Sequence, residues 1–190
     1  MTITKIDNQR QTNYPVDPMF IERWSPRAFL DKEIPNDLLY TVLEAARWAP
    51  SAANIQPWRF AIAQTKEDKE KFYSFINEGN LIWCKKAPVL VALLSQASVD
   101  GKPNRAHAFD AGTAWGFLSL QAKKSGLVTH AMGGFNKELA KETLNLPDNY
   151  DVHVIIAIGY QGDVGELPEQ LQDREKPSTR LPLEELIYKG

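Results

Sequence analysis

Sulfur and imidazole are scarce in this sequence: one cysteine, Cys84, and three histidines, His107, His130 and His153, serve 190 residues. With a single cysteine no internal disulfide can form, no C-x-x-C pair exists, and nothing points to secretion. The histidines are scattered without metal-ligand spacing, so each reads as a surface or hydrogen-bonded residue and no metal is expected. Cys84 reads as a small buried hydrophobe rather than a nucleophile. Long apolar runs are lacking too. The longest, Ala87 to Leu94, is far too short to span a bilayer. Met1 to Asn8 contain no apolar stretch of the signal-peptide type, so the expectation is a cytoplasmic protein with no membrane partner. Neither sign of charge dominates. The formal net charge of -2 argues against nucleic acid as a partner, yet leaves room for one local phosphate site. Several signatures are missing as well: no G-x-G-x-x-G follows a strand, and there is neither a P-loop nor a G-x-S-x-G elbow.

What is present is ordinary for a globular chain, 43% hydrophobic and 24% charged, without repeats or a dividing linker. Residues 1–190 are therefore expected to form one domain with its own core. Pro18 to Arg23 predict a short helix. A second starts at Pro35-Asn36-Asp37, with Asn36 able to cap it, carries Leu38, Val42, Ala45 and Ala49 at helical spacing, and stops at Pro50. Arg59 to Gln64 read as a strand and Glu67 to Ile76 as a helix. Pro88 to Leu94 read as a strand buried on both faces. Arg105 to Ser125 form the longest helical pattern, ended by Gly126. Its stretch Ala111 to Gly116 is rich in small residues, which allows another helix to approach closely. Val128 to Met132 and Val152 to Ile158 read as strands, with a helix at Lys137 to Leu144 between them. Four strands interleaved with helices imply layers, with helices on both faces of a sheet. From Gly159 onward the chain is too poor in apolar groups for a core unit, so Leu181 to Ile187 are expected to lie on another surface.

Four pieces can carry chemistry. Arg23-Trp24-Ser25-Pro26-Arg27 places two guanidinium groups and a hydroxyl in one loop, and Arg grips phosphate in bidentate fashion without losing its charge. Ala49-Pro50-Ser51-Ala52-Ala53-Asn54-Ile55-Gln56-Pro57-Trp58 sets Asn54 and Gln56 in a proline-bounded segment, where amides can face a flat polar heterocycle. Met132-Gly133-Gly134-Phe135-Asn136 follows a strand, and paired glycines let backbone approach a ligand. Ser178-Thr179-Arg180 offers one more phosphate clamp. Taken singly, each also fits an ordinary solvated turn or helix-to-strand loop.

In this order and spacing, the four pieces resemble the nitroreductase family of flavoproteins, over about Met19 to Ile187. The resemblance implies an α+β fold of α/β/α layers, with a central mixed sheet flanked by helices and a C-terminal segment extending onto a partner subunit. It implies a homodimer with FMN at the subunit interface. Arg23 and Arg180 would hold the FMN phosphate, with Ser25 assisting and Trp24 in the same loop at the cofactor. Ser178 stands where some relatives have Lys or Arg. Arg27 would sit near flavin N1 and O2, where a cation stabilises the anionic reduced ring. Pro50, Ser51, Asn54 and Gln56 would come from the partner subunit. Met132, Gly133 and Gly134 would bring backbone near N5 and O4, and Asn80 would bond the pyrimidine edge. The implied activity takes electrons from NADH or NADPH and reduces nitroaromatic, quinone or similar electron-poor small molecules by a ping-pong mechanism, with no protein acid or base named. Two alternatives stay open. One is the same fold with another reaction, reductive dehalogenation or flavin breakdown, covered by a short lid within Ser95 to Asn104 or Gly79 to Cys84. The other is a flavin-binding module without turnover.

Overall fold

The computed structural model describes residues 10–189. Four strands form one sheet in the order β1 (Trp58–Ala63), β2 (Val89–Gln96), β6 (Tyr150–Gly159), β5 (Val128–Met132). The centre of the sheet, β2 and β6, is where the apolar runs are densest. On β2, Leu90, Ala92 and Leu94 enter one core while Val89, Val91 and Leu93 enter the other, as the alternation of a strand requires. Ile155 and Ala157 of β6 join the first core, Ile156 and Ile158 the second.

The first core is closed by α3 (Lys66–Tyr73), α4 (Glu78–Cys84) and α6 (Lys137–Thr143) through Phe72, Trp83, Cys84 and Ala140. The second is closed by α2 (Asn36–Arg47) and α5 (His107–Lys124). Here the small residues of α5 matter: Ala111, Ala114 and Ala122 are fully buried in the same cluster as Leu39, Val42 and Ala46 of α2. Close helix approach is thus met within the chain, by alanines. A Cβ on Gly112 or Gly116 would meet nothing within 4 Å. The short elements are α1 (Pro18–Glu22), a hairpin of β3 (Ser98–Val99) and β4 (Lys102–Pro103), α7 (Glu169–Gln172) and α8 (Leu183–Leu186). Among the described residues no helix is long and apolar enough to cross a membrane.

The layered α+β class is as expected, with three differences in detail. The strand pairs β1–β2, β2–β6 and β5–β6 are all antiparallel, where a mixed sheet was anticipated. Intervening helices reveal that strands are separated in sequence, but not the direction in which the chain re-enters the sheet. Asn36 does not cap α2. Pro35 occupies the cap position, and Asn36 Oδ1 instead accepts a 3.0 Å bond from Gln64 Nε2, tying the helix start to the end of β1. The helix expected to run to Ile76 ends at Tyr73, because Ile76 bridges to Phe135. Gly79 to Cys84, considered for a lid, form most of α4 and bury Trp83 and Cys84.

Candidate active site

Five guanidinium groups share one cleft. Arg10, Arg23, Arg27, Arg174 and Arg180, with Trp24, Ser25, His130 and Ser178, line an open cavity of about 290 Å³ that has no acidic side chain in its lining. Residues 150 positions apart therefore meet: the loop after α1 and the segment after α7. Arg10 joins them, its Nη1 donating to the carbonyls of Ile21 and Arg23 at 3.0 and 2.7 Å and its Nε to the carbonyl of Ser178 at 2.7 Å. Arg180 Nη1 donates to Ser178 Oγ at 3.2 Å, and Arg23 Nη1 to Ser25 Oγ at 3.5 Å. Burial depresses the pKa of Arg23 and of Arg10, and the positive charge of Arg180 adds to both shifts. Crowded like charges of this kind are relieved by a bound anion.

The arginine loop is held by a short strand-like pairing behind it. Leu30 N donates to the carbonyl of Tyr160, Gly162 N donates to that of Ala28, both at 2.9 Å, and Phe29 bridges Gln161. Gly162 is required by this approach, since a Cβ there would lie 2.7 Å from the Phe29 carbonyl carbon. Glu175 fastens the other side: its Oε1 accepts from the N–H groups of Arg27 and Ala28 at 2.6 and 2.8 Å.

His130, on β5, forms the inner wall. Its Nδ1 lies 3.0 Å from the Pro26 carbonyl, which marks it as the donor nitrogen, and its ring packs 4.6 Å from that of Trp83. Burial pushes its pKa down to about 4, with Arg27 and Arg23 acting in the same direction against the Pro26 carbonyl. The unfolded chain, with an ordinary histidine near 6.5, takes up this proton first. Stability should therefore be whole above about pH 6.5 and fall as the pH drops from there to about 4. Urea midpoints of ligand-free protein at pH 7.5 and 5 check this, and the drop should shrink in His130→Gln. His153 adds a loss of the same sign, because burial first and His107 second also lower its pKa.

Two residues further along β5 comes buried Met132, then the glycine pair. Gly134 meets Asn80 of α4: Asn80 Nδ2 donates to the Gly134 carbonyl at 3.1 Å, and a Cβ on Gly134 would lie 2.7 Å from that nitrogen. A Cβ on Gly133 would meet nothing within 4 Å. Asn80, Met132, Gly133 and Gly134 do not line the arginine cleft itself; they connect to it along β5 through His130, whose ring packs on buried Trp83 of α4.

Pro50 to Gln56 stand elsewhere. They line none of the arginine cleft of their own chain. The segment is wound tightly, with Ala53, Asn54 and Gln56 at φ of +48°, +56° and +53°, a conformation that strains residues bearing a Cβ. Two bonds hold it. Ser51 Oγ accepts from Gln56 N at 3.0 Å, and buried Asp110 of α5 accepts from Ala52 N through Oδ2 at 3.2 Å. Ile55 and Gln56 face a groove with Tyr40, Leu43 and Arg47 of α2 and Trp58 and Phe60 of β1.

Sequence reading missed Arg10, His130, Arg174 and Glu175 as members or supports of the cleft, and Asp110 as the support of the strained segment. Only Asp110 carried a signal, as an acid in the first turn of α5. Cys84, His107 and His153 are structural, as their sequence context suggested. Cys84 is fully buried, and desolvation pushes its thiol up to about 12, which removes it as a nucleophile. His107 Nδ1 and His153 Nε2 both bond Ser95 Oγ, at 2.7 and 2.6 Å.

The sequence pattern of the Nitroreductase family matches residues 21–83 and 77–160. A solved structure described as an oxidoreductase containing FMN is 44% identical, covers 98% of each chain and superposes with a TM-score of 0.93. A nitroreductase family protein from Clostridium difficile 630 is 26% identical over 90% of this chain and 95% of its own, with a TM-score of 0.71. A relative named NADH dehydrogenase, from Thermus thermophilus, is 27% identical over 88% of this chain and 92% of its own.

Proposed function

Because the chain belongs to the nitroreductase family, we propose that it is an FMN-dependent oxidoreductase of one domain, which passes electrons from NADH or NADPH to electron-poor acceptors such as nitroaromatics and quinones. Five guanidinium groups around a cleft with no acid in its lining carry this reading. Their donors suit the oxygens of a phosphate dianion, which would replace the mutual repulsion of Arg10, Arg23 and Arg180 by charge-assisted hydrogen bonds. The neighbour described as containing FMN supports the same cofactor, and the relative named NADH dehydrogenase supports a nicotinamide donor.

In this site Arg23 and Arg180 hold the phosphate, with Ser25 and Ser178 beside them, and Trp24 walls the cleft. Arg27 would lie beside the flavin ring, where its charge would favour the reduced form. Gly133 leaves open space beside β5 where a Cβ would stand, while Asn80 fills that place at Gly134 and holds its carbonyl. The flavin, when bound, would supply two-electron transfer between donor and acceptor.

The second wall comes from a second copy of the chain. Phe20, Phe109 and Phe117, together with Leu181, Leu183, Leu186 and Ile187, are apolar and exposed, more surface of this kind than a monomer retains without use. The groove beside Ile55 and Gln56 is open to receive the partner's Leu181 to Ile187, and Gly112 and Gly116 leave α5 free to approach a partner helix. Pro50, Ser51, Asn54 and Gln56 then complete the FMN site of the neighbour.

Purified protein should show a flavin spectrum that NADH or NADPH bleaches under anaerobic conditions and that an added quinone restores. A colourless protein that takes up no FMN would contradict the proposal.

A further inference from the structure

Glu175 sits behind the arginine cleft with its side chain wholly removed from solvent. Its Oε1 is satisfied by the backbone N–H groups of Arg27 and Ala28. Its Oε2 lies 3.7 Å from Arg27 Nη1, beyond hydrogen-bond reach, and has no hydrogen-bond partner. A carboxylate stripped of water with one oxygen unmet is an unfavourable group to keep. A glutamine amide would accept the same two backbone bonds through its oxygen and leave no charge buried. What the site retains in Glu175 is therefore the charge itself, and that charge is aimed at one guanidinium. Neither Arg23 nor Arg180 has a carboxylate partner among the described residues.

We propose that Glu175 is a positioning residue that fixes the Arg27 guanidinium and offsets part of its positive charge, thereby setting how strongly the site favours reduced over oxidised flavin. This rests on the FMN reading above. The division of labour follows from the chemistry of the two ends. A phosphate keeps its charge through the reaction, so the cations that hold it need no counter-charge. The ring changes charge on reduction, so the cation beside it sets the redox equilibrium, and its strength must be adjusted.

Glu175→Gln keeps the backbone contacts and removes the charge. Titration of the FMN-free variant with oxidised and with reduced FMN, and the midpoint potential of the bound flavin, read the effect. The expected result is about a tenfold rise in the preference for reduced over oxidised FMN, equal to about +30 mV for a two-electron couple. Glu175→Asp, which keeps the charge but draws it back by one methylene, should shift the potential less than Gln does. FMN-loaded Glu175→Gln with an unchanged potential would overturn the proposal and leave Glu175 a structural tie. An Asp variant shifted as far as the Gln variant would overturn it equally. Failure of the wild-type protein to bind FMN would instead sink the cofactor reading on which the proposal rests.

Discussion

Arg23→Ala is expected to weaken FMN binding by roughly 1.5–3 kcal/mol, about ten- to a hundred-and-fifty-fold, and Arg180→Ala by a similar amount. Both side chains line the cleft, and neither has an acidic partner to lose among the described residues. Their effect on the FMN-free protein should be small or reversed. Arg180 depresses the pKa of both Arg10 and Arg23, so its removal relieves repulsion in the empty cleft. Reduced FMN affinity with unchanged or raised apo stability is a signature that general damage to the fold does not produce. The two losses should not add, because both residues hold one anion. Isothermal titration and thermal melts with and without FMN separate these outcomes. Full FMN affinity in both variants would remove the phosphate assignment.

Phe29→Ala is expected to cost about 3–5 kcal/mol of folding stability, the range for deleting a buried phenyl ring. The ring is 1% exposed and stacks on Trp83 at 6.2 Å between centroids. It fills the space that Gly159 leaves, since a Cβ there would come within 2.8 Å of its Cδ1. Its backbone pairs with Gln161 directly beside Arg27 and Ala28. The mutation should therefore reach the site as well as the core: urea unfolding reads the stability, and FMN affinity should fall although the phosphate ligands remain. A stability change under about 1 kcal/mol would show that the loop is not anchored through this ring.

The parts of the fold legible in the sequence are those whose local pattern and final environment agree. Val128 to Met132 were readable at both ends, since Gly126 ends the preceding helix and Gly133 follows. Pro88 to Leu94 were readable because a strand buried on both faces needs a continuous apolar run, and β2 is buried along nearly all its length. α4 was not readable. Gly79 and Asn80 are poor helix formers, and the helix exists because Trp83 and Cys84 are drawn into the core. The strain at Ala53, Asn54 and Gln56 was equally hidden, because no residue there is a glycine and the support comes from Asp110, far along the chain.

The candidate site divides in the same way. Arg23, Ser25 and Arg27 announced themselves by crowding charge into five residues, and Ser178 and Arg180 by their order after the other motifs. The structure brings these two groups together. Arg10 is a lone cation in a polar stretch, and Glu175 a lone acid in a polar tail. Each gains its meaning only when the chain folds the two segments onto the loop after α1. His130 was weighed as a hydrogen-bonded histidine, which it is, and nothing in its neighbours foretold that its partner would be Pro26.

Titration of FMN-free protein with FMN and, separately, with riboflavin tests the central claim most directly, because the two ligands differ only in the phosphate. One FMN per chain, two per dimer, is the expected result, with riboflavin bound weaker by on the order of a hundredfold because it loses two charge-assisted contacts. Equal affinity for riboflavin and FMN, or no binding of either, would contradict it.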